Sequence, residues 1–460
     1  MRAKRMTLSC ALAMLVGGVM PSAFALIKGN TQDVTTSQIQ TYTLPNGLKI
    51  FIKPDHRMPV AMVQVWYKVG GIDEPVGRSG ISHMLEHMMF KGTKHVKDGA
   101  FAKTVHDLGG SLNAATSNDF TYYHELIPVG GLEKVLALES DRMQHLQFSE
   151  AGFLKERDVV MEERRMRYED QPENLVYEQF FVAAHTGGPY RHLAIGWAND
   201  IAQYSLSDLV GWYRHYYGPN NAALVVVGDV DPAEVFRLAK KYFGRVRAIN
   251  KVEQKHYSVP DQKVHRAVSM RVRAKVPQFW MAFPVPTFLE NASEAYALDV
   301  LAGLLNGSSG LIAKALVRGK QQLTAGGASY DGAVRGDSLF TLSATPAPKH
   351  TVEEAKGALQ DLMDRLSKAP INPQDLDRVK AQVIADRVYQ KDSISQQALE
   401  IGYLETIGLG HAFSDQYAKA IRHVTAKQVQ KAAKYIVQSA SMTEATLIPE
   451  DDGDHAHDNG

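Results

Sequence analysis

Gly80-Ile81-Ser82-His83-Met84-Leu85-Glu86-His87-Met88-Met89 is the stretch on which the reading of this chain turns. Ile81, Met84, Leu85, Met88 and Met89 recur at helical spacing. Ser82 or nearby Ser79 is expected to cap the helix start, and Lys91-Gly92-Thr93 reads as a basic last turn and a stop. Residues four apart on a helix lie one above the other. His83 and His87 therefore face a common point, with Glu86 beside them. Two neutral imidazoles are good zinc ligands, and an adjacent carboxylate can take a proton from a zinc-bound water. In a chain of 460 residues with 17 histidines, H-x-x-E-H arises by chance with a probability of roughly 0.03. The bland alternative is a helix whose histidines are ordinary core or surface residues.

Outward from the motif, Lys and Arg total 51 against 50 Asp and Glu, so no general basic surface argues for nucleic acid. Arg2, Lys4 and Arg5, an apolar run from Met6 to about Met20, and Pro21-Ser22-Ala23-Phe24-Ala25 read as a secretory signal peptide over 1–25. A signal anchor in an inner membrane is the alternative. The run is shorter than the ~18–20 residues a span needs, and no later segment reaches that length. The one cysteine, Cys10, falls within this leader. A mature chain without thiols must hold any metal through His, Asp or Glu. Export without disulfides fits a bacterial periplasm.

Thr41–Leu44 and Leu48–Ile52 flank Pro45-Asn46-Gly47, a hairpin signal. Val60–Val69 reads as a third strand, Ala100–Leu108 as a helix, and Ser111–Thr116 and Phe120–Leu126 as strands. Leu132–Leu146, Ala151–Tyr168 and Ser207–Tyr217 read as helices before a buried strand, Ala222–Val227. A similar succession follows: strands over 264–283 and 323–342, helices over 293–305, 352–366, 374–389 and 426–437, and a last strand over 443–447. Glu156-Arg157 has a counterpart in Asp377-Arg378, offset by about 220 residues, as expected of a duplicated unit. The expected architecture is α+β: two homologous domains, each a mixed, mainly antiparallel sheet packed with helices, forming a clam-like cleft. Their expected bounds are 26–245 for the metal-binding domain and 263–448 for the second, with a linker over 246–262. An acidic, histidine-containing disordered tail is expected over 449–460. The histidine motif occurs only in the first half.

Catalytic zinc usually has three protein ligands. The helix carrying Glu156-Arg157-Asp158-Val159-Val160-Met161-Glu162-Glu163 is the best source of the third. Glu156 and Glu163 are seven apart on one face, and Glu162 points elsewhere. One of the pair is suited to the metal, the other to orienting a ligand histidine. Spacing alone does not say which. A solvated helix of ion pairs is the plain alternative.

Taken together, Thr43-Leu44-Pro45-Asn46-Gly47-Leu48, the segment from Gly80 through Phe90-Lys91-Gly92-Thr93, Leu112-Asn113-Ala114-Ala115-Thr116, and Glu156-Arg157 with Val159-Val160 and Glu163, then Asp170 and Pro172, resemble the pitrilysin and insulinase family of inverted-motif zinc peptidases. The nearest likeness is to its bacterial branch similar to mitochondrial processing peptidase. The resemblance implies one zinc ion on His83, His87 and Glu163, Glu86 as general base, and Glu156 behind a ligand. It implies peptide hydrolysis, with Asn113, Ala114 and Ala115 on an edge strand that takes an extended peptide. Active single-chain relatives carry an arginine and, seven residues later, a tyrosine that assist from the second half. Arg318 falls on the arginine, whereas Ala325 stands where the tyrosine belongs and Tyr330 is out of register. A partner is therefore expected to supply the missing groups: a metal-less homologous subunit, or a second copy. A non-catalytic subunit of the same fold and a periplasmic peptide- or metal-binding protein are the alternatives.

Overall fold

The computed structural model describes residues 38–185, 188, 190–253 and 264–450. The expected signal peptide, most of the expected linker and all but the first residues of the expected tail lie outside them.

The first half carries β1 (Gln40–Thr43), β2 (Lys49–Pro54), β3 (Val60–Tyr67), β4 (Ser111–Thr116), β5 (Thr121–Pro128) and β6 (Ala222–Gly228). Its helices are α1 (Ile81–Met88), α2 (Ala100–Asp107), α3 (Leu132–His145), α4 (Glu150–Arg164), α5 (Pro172–Ala184), α6 (Ala198–Gln203), α7 (Leu206–Tyr216) and α8 (Pro232–Phe243). The second half has β7 (His265–Val272), β8 (Gln278–Val285), β9 (Leu323–Tyr330), β10 (Ser338–Pro346) and β11 (Met442–Pro449). Its helices are α9 (Phe288–Leu305), α10 (Val352–Lys368), α11 (Pro373–Gln390), α12 (Ile394–Ile407), α13 (Phe413–His423) and α14 (Ala426–Val437). Asn291 is non-helical (φ −150°, ψ 85°) and breaks the start of α9, which is why the periodicity begins at Ser293. Five helices, α5, α6, α8, α12 and α13, were not expected from the sequence, and α4 passes into a π-helical turn, Arg165–Glu169.

The first sheet runs β1-β2-β6-β3-β5-β4 and the second β7-β11-β8-β10-β9. β2 pairs parallel with β6, as β7 does with β11, and every other neighbour is antiparallel. Leaving β1 aside, the second sheet repeats the first strand for strand, so the architecture is α+β with an internal repeat.

Each sheet is covered on both faces, and one cover comes from the other half. Ile394, Ala398 and Ile401 of α12 pack with Phe51, Met62, Trp66 and Val225 of the first sheet. Val176 and Phe180 of α5 pack with Val272, Ala282, Ala445 and Leu447 of the second. This exchange explains the composition of β6, whose seven residues are all buried; a strand covered on both faces has no polar side. At Gly402 on α12 the approach is so close that a Cβ would lie 2.0 Å from Trp66 Nε1. Arg335 adds a buried tie, donating to Asp73 at 2.9 and 3.0 Å and to the Asp119 carbonyl at 2.9 Å. A cleft of about 420 Å³ opens between the halves, lined by Asn118, Phe180, Tyr190, Tyr330, Asp337 and Tyr403 among others.

Candidate metal centre

Helix α1 is buried along nearly its whole length, including His83 and Glu86. A helix start inside a protein needs acceptors for its first N–H groups. The expected serine caps do not supply them. Gly80, at the N-cap, has a left-handed φ of 84°, and a Cβ there would lie 2.3 Å from the Ile195 carbonyl oxygen. Glu74 accepts instead, from Gly80 N at 2.7 Å and Ser82 N at 2.8 Å. Its carboxylate also suits the positive end of the helix dipole. Burial pushes the Glu74 carboxyl up, against His192 and those two N–H groups. Ser79 Oγ donates to Asp200 at 2.5 Å, and Ser82 Oγ accepts from Trp212 Nε1 at 3.2 Å. Both serines therefore hold α1 to its neighbours.

Helix α4 crosses α1 and brings both glutamates of its inner face to the histidines. Glu163 Oε2 is 3.2 Å from His87 Nε2 and 3.8 Å from His83 Nε2. Glu156 Oε1 is 3.1 Å from His87 Nδ1. In the structure Glu163 shares the open space with both rings, and Glu156 lies behind one ring. Glu162 points outward and pairs with Arg165 at 2.6 Å.

This constellation fits a zinc ion. Tetrahedral zinc with bonds of about 2.0–2.2 Å spaces its ligand atoms roughly 3.3 Å apart, and these atoms lie within 4.8 Å of one another. His87 Nε2 is buried without a hydrogen-bond partner, which costs free energy unless an ion or proton satisfies it. Burial drives His83 down to about 3, so its imidazole is neutral. Burial also opposes charge on His87, but its hydrogen bond to Glu156 and the nearby Glu163 carboxylate outweigh it and raise the ring to about 9. Glu163 resists burial through His87, His83 and Arg167, which hold it near 2. Its second oxygen is in ion-pair contact with Arg167 at 2.9 Å, off hydrogen-bond alignment. Lys91 closes the back of the cluster, 2.6 Å from Glu156 Oε2.

Glu86 is buried beside the cluster. Its Oε2 accepts from Thr116 Oγ1 at 2.5 Å. Burial raises its pKa, with His87 and Thr116 opposing. Thr116 ends β4, the outermost strand of the first sheet, so one hydroxyl joins Glu86 to the edge that carries Asn113, Ala114 and Ala115. Ala114 is buried and its two neighbours are half-buried. Arg318 is exposed in the π-helical segment Ala313–Gly319, with no hydrogen bond or ion pair to the cluster. Ala325 is exposed on β9, and Tyr330 is committed to the Pro286 carbonyl at 2.6 Å. Glu74, Lys91, Thr116 and Arg167 support the centre and were not foreseen. The charge of Lys91, one turn past His87, was the readable signal among them.

A buried inverted H-x-x-E-H helix faced by a glutamate from a second helix is the arrangement of a zinc peptidase. The insulinase model of peptidase family M16 matches residues 49–193, and the peptidase M16 inactive-domain model matches 203–383. The zinc protease PqqE of Helicobacter pylori is 35% identical over 367 residues, covering 78% of this chain and 81% of that protein. The crystal structure of a protease from Helicobacter pylori superposes with a TM-score of 0.84 at 30% identity, covering 90% of this chain and 100% of that one. A probable mitochondrial-processing peptidase subunit beta of Arabidopsis thaliana is 27% identical over 225 residues, 49% of this chain and 42% of that protein. The chain belongs to peptidase family M16, the insulinase family. Relatives named zinc proteases imply zinc and a peptidase-like function. Among the described residues no helix is long and apolar enough to cross a membrane.

Proposed function

We propose that the chain is a zinc-dependent endopeptidase acting on peptides or unfolded protein segments. The observation that carries this is the meeting of His83, His87 and Glu163 with the carboxylate of Glu86 beside them. His83, His87 and Glu163 would hold one zinc ion. When bound, zinc supplies Lewis acidity, activating water near neutral pH and drawing charge from a scissile carbonyl. Glu156 keeps the His87 proton on Nδ1, which leaves Nε2 for the metal. Glu86 is the general base: with Oε2 engaged by Thr116, Oε1 takes the proton from water and passes it to the leaving amine. Its raised pKa brings it nearer the working range of such a base. An extended peptide adds along β4 through main-chain hydrogen bonds at Asn113 to Ala115, which asks little of its sequence. Thr116 sets the register between that strand and Glu86.

Ala325 favours a further point: the site is half of an active site. Alanine donates no hydrogen bond to a developing oxyanion, and such a donor is worth about 2.7–4 kcal/mol. A metal-less homologous subunit supplies the donor this chain lacks; a second copy, which also carries Ala325, brings only another donor such as the Arg318 guanidinium. The domain bounds expected from the sequence, export through residues 1–25 and residence in the periplasm complete the proposal. The test is incubation with an unstructured peptide, with and without chelator, for the chain alone and with a metal-less homologue. Chelator-sensitive internal cleavage supports the reading. Zinc binding or peptide binding without cleavage in either mixture contradicts it and favours a non-catalytic subunit or a binding protein.

A further inference from the structure

A second group of metal-competent side chains lies outside the centre just described. His95, Asp141 and His145 bring one ligand atom each within 4.8 Å of one another. His95 Nδ1 is 2.6 Å and His145 Nδ1 2.8 Å from the same oxygen, Asp141 Oδ1. The rings stand nearly perpendicular, their centroids 4.8 Å apart. Thr93 Oγ1 donates to the other oxygen, Asp141 Oδ2, so that side of the carboxylate is taken and Oδ1 is turned to the rings.

The backbone holds these groups in place. Asp141 and His145 share one face of the last turn of α3, and His95 comes from the turn after α1. That turn is stitched to the end of α3 by Lys94 N to the His145 carbonyl at 2.9 Å, Gln147 N to the Gly92 carbonyl at 3.1 Å, and the bridge Thr93–Leu146. Thr93 Oγ1 further accepts from His95 N and Val96 N. The three ligands therefore sit on two segments that cannot drift apart. The C-terminal end of α3 adds the negative end of a helix dipole, and the His95 side chain is 55% exposed, so an ion has a path in.

We propose that His95, Asp141 and His145 form a second site for a divalent transition-metal ion, with zinc as the ion it takes. Two imidazoles and one carboxylate suit zinc, nickel or copper and not magnesium or calcium. An ion would replace the ring protons that now face Oδ1. Ligand atoms around zinc stand roughly 3.3 Å apart, so the His95 ring has to retreat by about 0.7 Å and the His145 ring by about 0.5 Å, which side chains exposed on one side can do. Water completes the coordination.

The experiment counts zinc by elemental analysis after equilibrium dialysis at buffered micromolar free zinc, and follows thermal unfolding with and without zinc. It uses the full chain with His455→Ala and His457→Ala, so that the tail adds nothing. This parent is expected to hold about two ions, and His95→Ala/His145→Ala about one. His83→Ala/His87→Ala is expected to hold about one and still to unfold at a higher temperature in zinc; Asp141→Asn in that background abolishes the rise. An ion count in His95→Ala/His145→Ala equal to that of the parent, whether one or two, overturns the second site. Failure of the first centre reads out separately, as no loss on replacing His83 and His87. Should that variant not fold, the parent and His95→Ala/His145→Ala decide the matter alone.

Discussion

Replacing Glu156 with alanine tests how the centre is held together. The carboxylate bonds His87 Nδ1 at 3.1 Å and pairs with Lys91 at 2.6 Å. A charge-assisted hydrogen bond of this kind is worth about 1.5–3 kcal/mol, which overlaps the 10–100-fold loss of metal affinity usual when a ligand's partner is removed. Lys91 is partly exposed and can turn to water, so the loss comes mainly from the imidazole. A second effect acts against it. The metal-free ring titrates at about 9, raised above its ordinary value. The proton is therefore held below that pH and released as pH rises through it, and at pH 7.5 it competes with zinc by roughly 30-fold. Without Glu156 that competition weakens. The Glu156→Ala deficit should thus be small at pH 7.5 and approach about 10–100-fold above pH 9. Zinc titration against a chelator of known affinity, repeated across this range, measures it. A deficit independent of pH, or none at high pH, would refute the argument.

Three further outcomes follow from the same geometry. At pH 7.5, zinc binding should release about one proton, because His87 carries one while His83, at about 3, and Glu163, at about 2, carry none; calorimetry in buffers of different ionisation enthalpy reads this, and zero release would contradict it. Arg142→Ala should destabilise by about 3–5 kcal/mol, since it strands Glu125 and Glu139, both fully buried against the guanidinium; denaturant unfolding checks it, and a change below about 1 kcal/mol would be incompatible with the burial. Gly402→Ala should cost about 1–3 kcal/mol through its collision with Trp66, lowering the melting temperature by several degrees; an unchanged melting temperature would mean that α12 does not pack as described.

The motif helix, the candidate ligands and the positions of most strands were legible because they rest on local spacing: four residues for the histidines, seven for the glutamates, and alternation for the strands; the order of the strands in each sheet was not. Spacing left Glu156 and Glu163 equivalent and only the family resemblance separated them; the crossing of α4 over α1 is what sets one carboxylate near Nε2 and the other near Nδ1 of His87. The Glu74 cap was missed because capping rules look at the residue next to the helix, and Glu74 reaches back across a loop. Helices α5 and α12 were missed for another reason. Each is buried among residues of the opposite half, so its apolar face matches no sheet nearby in sequence. Helix α8 was missed too, although Asp231-Pro232, a capping residue and a proline at the first helical position, was a readable start signal.

The central claim is that Glu86 moves the proton while His83, His87 and Glu163 hold the metal. Its most direct test is Glu86→Gln, measured for bound zinc and for cleavage of an unstructured peptide beside the wild-type chain under conditions where that chain is active. The account predicts an unchanged zinc content and a turnover reduced by about 10²–10⁴-fold or more. Retained turnover in a zinc-loaded Glu86→Gln chain would contradict it.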